Sequence, residues 1–200
     1  MNGELSNGLP RLAAKGNRIV VTGSEKPVLL RGLNRSGFEY SAPNSEGFAA
    51  AAGITREEIE CIAREWNANI LRIPFNQDWA LNGRAGRTGE EYLADLDRVI
   101  HWASSSGAYT LLDLQWLSAD RAHGPANMMV PPLPDEHTPT LWRMLARRYR
   151  DEPAVLLDVF NEPHDRLPED PYPLKRLDGS EYPDGHLRVS MTEWRPWLCF

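Results

Sequence analysis

The stretch VLLDVFNEPHD, residues 155–165, ends a run of apolar side chains abruptly at Asn161, Glu162 and Pro163. A short apolar run of this kind predicts a buried β-strand. Asn and Pro are common in turns, so one interpretation is an ordinary turn after the strand. The other interpretation is chemical, because the strand would hold the Glu162 carboxyl at its end for proton transfer. The remainder of the sequence has to separate these two interpretations.

The composition is typical of a globular chain with one core: 200 residues, 42% hydrophobic and 25% charged. A net charge of −6 without a visible basic face argues against nucleic-acid partners. The two cysteines, Cys61 and Cys199, have no paired spacing and indicate neither a disulfide framework nor a metal site. No apolar run reaches the length of a membrane span, and the polar N-terminus lacks the apolar segment of a signal peptide. We expect no membrane partner, and the sequence leaves the compartment open.

A strand, a loop and an amphipathic helix recur along the chain as a unit. Apolar runs that predict strands start near residues 28, 68, 109 and 154. The predicted helix starts are Thr55 with Glu58 and Thr88 with Glu91, both with capping-box spacing, and Thr138 with Pro139. The predicted apolar helix faces comprise Ile59, Ile62, Ala63 and Trp66; Leu93, Leu96, Val99, Ile100 and Ala103; and Leu141, Trp142, Leu145, Ala146 and Tyr149.

Apolar strands that alternate with amphipathic helices predict an α/β fold with a parallel sheet covered by helices. Two architectures compete, a doubly wound open sheet and a (β/α)₈ TIM barrel. The doubly wound sheet would favour a glycine-rich phosphate turn after the first strand, and RGLNRSGFEY, residues 31–40, contains no G-x-G-x-x-G. The sequence therefore favours the barrel, of which the chain supplies about the first four β/α units.

The domain organisation follows from these units. We interpret residues 1–16 as a polar N-terminal lead and residues 17–200 as a partial barrel domain that stops within helix 4. Ile19–Val21 and Val28–Leu30 predict a hairpin around a Gly-Ser-Glu-Lys-Pro turn, and residues 41–54 predict a loop. The Pro-, Asp- and Gly-rich segment 163–192 is predicted to form a cleft wall beside Glu162.

Polar, acidic and aromatic side chains follow the predicted strands at the end where barrels place their functional groups. They are Asn34, Arg35, Phe38, Glu39 and Tyr40 after the first strand, Arg72 in the second, Gln115 and Trp116 in the third, and Asn161 and Glu162 in the fourth.

Several of these residues have a structural alternative. Arg72 inside an apolar strand is costly unless it is paired. It would either form an ion pair with Asp113 or Asp158, or anchor a catalytic carboxylate and keep it ionised. Trp79 and Trp116 would be either core residues or platforms for a sugar ring. The five histidines show no metal-ligand spacing, so we expect no metal and no cofactor.

Four segments together carry a family resemblance: LLRGLNRSGFEY, WNANILRIPFNQDWAL, YTLLDLQWL and VLLDVFNEPHD. They resemble glycoside hydrolase family 5, the cellulase family of clan A, with the bacterial endoglucanases as the nearest type. The resemblance covers residues 17–200 and implies a (β/α)₈ barrel of retaining β-glycosidases.

The resemblance implies roles for individual residues. Glu162 would be the general acid and then the base, and Asn161 would bind the sugar 2-hydroxyl. Arg72 would orient the nucleophilic carboxylate. The substrate-binding residues would be Phe38, Glu39, Gln115 and Trp116. Retention requires two carboxyl groups about 5–5.5 Å apart.

Two departures from the family pattern matter. The family usually has His where this chain has Gln115, and Gln does not titrate. The family nucleophile is a Glu at the end of strand 7, whereas this sequence reaches only strand 4 and the start of helix 4; Glu193, at a predicted helix start, is rejected as its substitute. We therefore expect a fragment of a longer enzyme, with open sheet edges that favour self-association.

Three functions follow as hypotheses. The first is an endo-acting, metal-independent hydrolase of a β-1,4-glucan or β-mannan, with a β-linked oligosaccharide or polysaccharide as its partner. The second is a non-catalytic half-barrel that binds carbohydrate or acts as a scaffold. The third is another barrel enzyme that uses Glu162 in unrelated acid–base chemistry.

Overall fold

A parallel sheet of four strands, with helices packed against it, forms the centre of the molecule. The computed structural model describes residues 8–117, 134 and 137–162. Its elements are β1 (Leu12–Lys15), β2 (Arg18–Val21), β3 (Gly32–Asn34), α1 (Phe48–Ala51), α2 (Arg56–Arg64), β4 (Ile70–Asn76), α3 (Gln77–Asn82), α4 (Gly89–Ser105), β5 (Tyr109–Trp116), α5 (Thr138–Arg148) and β6 (Val155–Asp158). The predicted cleft wall at 163–192 and the predicted helix start with Glu193 lie outside the described residues.

The strand order confirms the predicted parallel sheet. β3, β4, β5 and β6 lie side by side in chain order, and each neighbouring pair is parallel. The register aligns Asn34 with Arg72, and Asp113 with Asp158. A doubly wound sheet reverses its strand order at a switch point, whereas a barrel adds its strands in sequence. The observed order is the one that a barrel requires.

β3 begins at Gly32, later than the start near residue 28 that the apolar run predicts. At this point β3 approaches β4 so closely that a Cβ atom on Gly32 would lie 1.6 Å from the Ile70 carbonyl oxygen. Only glycine permits this approach, and it places the end of β3 beside the middle of β4.

Side chains alternate between the two faces of the sheet strands, as the two-residue period of a strand requires. On β4 and β5 the side chains packed into the hydrophobic core are Leu71, Ile73, Phe75, Leu112 and Leu114, all with 0% exposure. The intervening positions carry Arg72 and Asp113, so the polar groups share the opposite face of the sheet.

The longest predicted helix, α4, is confirmed with its cap. Thr88 and Glu91 form a reciprocal capping box, and the predicted apolar stripe is buried in full: Leu93, Leu96, Val99, Ile100 and Ala103. In α5, Pro139 occupies the first turn as predicted, and Leu141, Trp142, Leu145 and Tyr149 are buried, whereas Ala146 is only partly buried. No helix within the described residues is both long and apolar enough to cross a membrane.

The predicted apolar face of α2 is confirmed except at its end. Ile59, Ile62 and Ala63 are buried, and the Thr55 side chain accepts a hydrogen bond from the Glu58 N–H. The prediction for Trp66 was wrong, because α2 ends at Arg64 and leaves the Trp66 side chain 66% exposed. A residue beyond the helix end no longer follows the helical period.

The predicted hairpin is confirmed in part: Ile19–Val21 lies within β2, and Val20 forms an antiparallel bridge with Pro27. β2 pairs with β1 in antiparallel register from Leu12 opposite Val21 to Lys15 opposite Arg18. Residues 28–30 form no strand; they are joined to β2 by the hydrogen bond from the Val28 N–H to the Ile19 carbonyl. Gly16, at a φ of 59°, suits the tight turn between β1 and β2. Because β1 lies within residues 1–16, part of the stretch interpreted as a polar lead is structured.

One short helix, α1, lies where the local sequence shows no helical period. α1 falls in the predicted loop 41–54, and the carboxylate of Asp95 in α4 accepts hydrogen bonds from the Phe48 and Ala49 N–H groups at 2.7 and 3.0 Å. This cap comes from a residue far along the chain, which explains why local capping signals missed it.

Candidate active site

The Arg72 guanidinium joins all four strands of the parallel sheet. Nη1 donates to Asn34 Oδ1 at 2.9 Å, and Nη2 donates to Asn161 Oδ1 at 2.7 Å. Nη2 also lies 2.9 Å from Asp113 Oδ1, and Nε donates to Asp158 Oδ2 at 3.4 Å. The residues come from β3, β4, β5, β6 and the segment after β6, so one side chain fixes the relative positions of the strand ends.

The sequence offered two interpretations of Arg72, and the structure shows the ion pairs of the first. The buried Asp113 and the partly exposed Asp158 both contact its guanidinium. These contacts do not exclude the second interpretation, since the Arg72 side chain keeps 27% exposure at the strand ends.

The segment that carries Asn161 and Glu162 lies past the end of a strand. β6 ends at Asp158, earlier than the predicted strand. The backbone nevertheless stays beside β5, because the Asn161 N–H donates to the Leu114 carbonyl at 3.0 Å. The indole N–H of Trp142 in α5 donates to the Val159 carbonyl at 3.1 Å and holds the same segment from its other side.

Glu162 is exposed and adopts a left-handed backbone conformation, with a φ of 43°. This conformation is costly for a residue with a Cβ atom, and such strain is concentrated at functional sites. The hydrogen bond between Arg72 and Asn161 lies directly before it and helps to hold this geometry.

Glu39 lies near this guanidinium and is 5% exposed. Its Oε2 accepts a hydrogen bond from the Gly37 N–H at 2.7 Å. Burial raises the pKa of the Glu39 carboxyl, and hydrogen bonds and the positive charge of Arg72 oppose that rise. The backbone carbonyl of Glu39 accepts from Asn76 Nδ2 at 3.1 Å, which ties the loop after β3 to the end of β4.

Phe38 does not fit the predicted sugar-binding role. Its side chain is 0% exposed and packs edge-on against the Tyr92 ring, with 5.6 Å between the ring centroids. The Tyr92 hydroxyl donates to the Phe38 carbonyl at 3.0 Å and so anchors the loop after β3 to α4. The loop after β3 therefore turns Phe38 into the core, and this burial corrects the prediction that it lines a cleft. Trp79, at 4% exposure, is also a core residue.

Trp116 and Gln115 lie at the end of β5 and are both partly exposed. The Trp116 ring lies 6.2 Å from that of Tyr40, which is 51% exposed, and the two planes are inclined at 49°. The sugar-binding roles of Trp116, Gln115 and Glu39 stay predictions. We add Tyr40 to this predicted group because its ring lies near that of Trp116. The sequence signal for Tyr40 was its position directly after Glu39.

Asp113 and Asn34 are site residues to which the sequence analysis gave no catalytic role. Asp113 was considered only as an ion-pair partner, although a carboxylate in the middle of an apolar strand is itself a signal. It is completely buried, and burial raises its pKa to about 7. The positive charge of Arg72 opposes this rise, while Asp158, Glu39 and Glu162 add to it.

The described part of the chain contains no group of three or more His, Cys, Asp and Glu side chains arranged to hold a metal ion.

Comparison with known proteins identifies the family. The profile of the family described as cellulase (glycosyl hydrolase family 5) matches residues 21–173. The manganese dependent endoglucanase of Phanerodontia chrysosporium is 24% identical, over 68% of this chain and 35% of that protein. An endoglucanase of Microbulbifer sp. is 25% identical, over 69% of this chain and 23% of that protein. The chain thus spans about a third or less of the length of these two relatives.

Solved structures show the same fold. The β-glucanase of Saccharophagus degradans, in complex with cellotetraose, superimposes with a TM-score of 0.56 at 20% identity, over 78% of this chain and 43% of that one. The four parallel strands and their helices are therefore part of a (β/α)₈ barrel. With the family profile matching more than half of its residues, the chain belongs to glycosyl hydrolase family 5.

Proposed function

We propose that the full-length protein is a retaining β-glycosidase that cleaves β-1,4-glucan chains internally, with Glu162 as its acid/base. The observation that carries the proposal is the 2.7 Å hydrogen bond from Arg72 to Asn161, directly before Glu162 at the carboxyl ends of parallel strands. Barrel enzymes collect their catalytic groups at this face.

Glu162 would act twice. In the first step its protonated carboxyl gives a proton to the glycosidic oxygen as the bond to the leaving sugar breaks. In the second step the carboxylate takes a proton from the water that hydrolyses the glycosyl-enzyme intermediate. Its exposed position leaves the carboxyl accessible to both groups.

Asn161 would orient the sugar beside Glu162. Its Oδ1 accepts from Arg72, and its Nδ2 would donate to a sugar hydroxyl. A hydrogen bond to the 2-hydroxyl that strengthens in the transition state contributes several kcal/mol in glycosidases.

Retention needs a second carboxyl group about 5–5.5 Å from the first. Asp113 and Asp158 are both engaged by Arg72, so we propose that the nucleophile comes from a part of the full-length protein beyond the described residues. Arg72 would face it and keep it ionised.

The proposed substrate follows from the relatives and from the exposed aromatic pair. Two relatives are named endoglucanases, and one solved neighbour holds cellotetraose. Trp116 and Tyr40 offer aromatic faces beside the strand ends. The name of one relative includes manganese dependence, but the described residues contain no suitable ligand group, so no step is assigned to a metal ion.

The test is Glu162→Gln in the full-length protein, with cellotetraose and a dinitrophenyl β-cellobioside as substrates. With cellotetraose we expect kcat/KM to fall about 10²–10⁴-fold, because the leaving oxygen then lacks its proton donor. Dinitrophenolate leaves without a proton, so the initial burst from that substrate should persist, and added azide should restore turnover by replacing the water that needs a base.

The matched control is Glu65→Gln, an exposed residue at the other end of the barrel, where α2 ends. It should leave both substrates unaffected. A Glu162→Gln variant as active as the control on cellotetraose would disprove the proposed role of Glu162. Wild-type protein that binds cellotetraose without any hydrolysis would favour the non-catalytic carbohydrate-binding half-barrel instead.

A further inference from the structure

Asp113 combines complete burial with incomplete hydrogen bonding. It lies in β5 and is 0% exposed. Its Oδ1 is 2.9 Å from Arg72 Nη2, but within the described residues neither carboxyl oxygen accepts a hydrogen bond of good geometry. A buried carboxylate in this state is held mainly by the charge of the guanidinium, and a buried group left so incompletely satisfied is uncommon in folded proteins.

The same Nη2 atom of Arg72 contacts both Asp113 and Asn161. Asp113 lies in β5, and Asn161 lies after β6. Any change in the attraction between Arg72 and Asp113 therefore changes the hydrogen bond that orients the Asn161 amide.

The charges around Asp113 come from every element packed against this face. Arg72 on β4 is the positive charge, and the negative charges are Glu39 after β3, Asp158 on β6 and Glu162 after it. Arg72 is thus the charge that favours an ionised Asp113 at this face.

We propose that Asp113 is a positioning residue for the reaction assigned above: it holds the Arg72 guanidinium so that the Asn161 amide is oriented toward the sugar. The inference rests on the proposed function. Asp113 itself is buried and touches no substrate. Burial raises its pKa to about 7, so its charge changes in the pH range where a glycosidase of this type would be assayed.

The direction of the effect follows from the charge of Asp113. An ionised Asp113 attracts the Arg72 guanidinium, and a neutral side chain at this position does not. Removal of the charge therefore weakens the hold on Arg72 and disturbs its hydrogen bond to Asn161.

The experiment measures kcat and KM of the full-length protein with Asp113→Asn, using cellotetraose. We expect kcat to fall about tenfold or more with little change in KM, since a mispositioned Asn161 affects the transition state more than binding. The matched control is Asp95→Asn, a buried carboxylate on α4 that pairs with Arg98 and caps α1; it should lower stability without changing kcat or KM.

A folded Asp113→Asn variant with wild-type kcat would overturn the inference. If Asp113→Asn does not fold, the side-chain amide of Asn161 in the wild type is followed by ¹⁵N NMR as the pH is lowered through the titration of Asp113, near pH 7. The amide signal should shift together with the titration of Asp113, because both residues contact Arg72 Nη2; an amide signal that does not follow that titration would overturn the inference. Failure of the proposed function is distinguishable, because it appears as an active Glu162→Gln variant whatever Asp113 does.

Discussion

At the scale of single residues, Arg72 is the side chain that connects all four strands of the parallel sheet. Its three nitrogen atoms contact oxygen atoms of Asn34, Asn161, Asp113 and Asp158. Only a planar guanidinium with several fixed donors satisfies so many acceptors at once.

Arg72→Lys tests whether the planar guanidinium, with its several fixed donors, is required. Lysine keeps the positive charge but reaches fewer of the acceptors, so we expect kcat/KM of the full-length protein to fall about 10²-fold or more. We also expect the free energy of unfolding to fall by about 2–4 kcal/mol, since the buried Asp113 loses part of its pairing. Cellotetraose kinetics and urea denaturation measure the two effects.

The control for this substitution is Arg56→Lys on α2. Arg56 pairs with Glu60 on the surface, where its side chain is 62% exposed, and surface pairs contribute about 0–1 kcal/mol. If Arg72→Lys behaved like Arg56→Lys in both measurements, the geometry of the guanidinium would have no special role.

The sequence identified Arg72, Asn161 and Glu162 as a group because polar residues interrupt or end apolar strands. It did not identify Phe38 as a core residue, because its position after a strand end looked the same as that of Glu39. The difference is made by the hydroxyl of Tyr92, which binds the Phe38 carbonyl from a distant helix. The residues next to Phe38 in the sequence do not indicate its contact with Tyr92.

At the scale of elements, the long periodic segments were predicted well and the short ones were not. α4 and β5 match their predictions closely, because each has a sustained apolar period. β1 and α1 have only four residues each, too few for a period to show. Their formation depends on partners elsewhere: β2 for β1, and the carboxylate of Asp95 for α1.

The capping box of α4 gives the prediction at this scale. Thr88 Oγ1 accepts from the Glu91 N–H at 3.2 Å, and Glu91 Oε2 accepts from the Thr88 N–H at 2.7 Å. Thr88→Ala should lower the free energy of unfolding by about 1–2 kcal/mol. In Thr55→Ala, the cap of α2, the loss should be smaller, because Glu58 bonds Arg35 rather than completing a box.

Urea denaturation of the two variants at one pH measures this difference. Equal losses of unfolding free energy would show that the hydrogen bond from the Thr88 N–H to the Glu91 carboxylate adds no stability. Cellotetraose kinetics should be unchanged in both, since neither threonine contacts the strand ends that carry Arg72 and Glu162.

At the scale of the whole molecule, the strand order identifies the architecture, and that order was predictable. The alternation of apolar strands and helices predicted a parallel sheet, and the missing glycine-rich turn after the first strand favoured a barrel, whose strands lie in chain order. The closure of a barrel is a different matter, since it depends on what pairs with the outer strands. Within the described residues, β3 and β6 each have one strand neighbour.

These outer strands give the last prediction. Leu157 and Val159, on β6 and just after it, are 40% and 39% exposed, and apolar side chains beside an unpaired edge favour pairing with another chain. We expect the 200-residue polypeptide, expressed alone, to associate as its concentration rises, as sedimentation velocity measures. Leu157→Lys should reduce the association, because a charge beside the edge opposes strand addition, whereas Leu29→Lys, at a residue 63% exposed outside the four-stranded sheet, should not. If the full-length protein adds strands at these edges, as the proposed function requires, neither variant should change the mass of its particle in solution. A 200-residue chain that stays monomeric at every concentration would show that its own residues already protect β3 and β6.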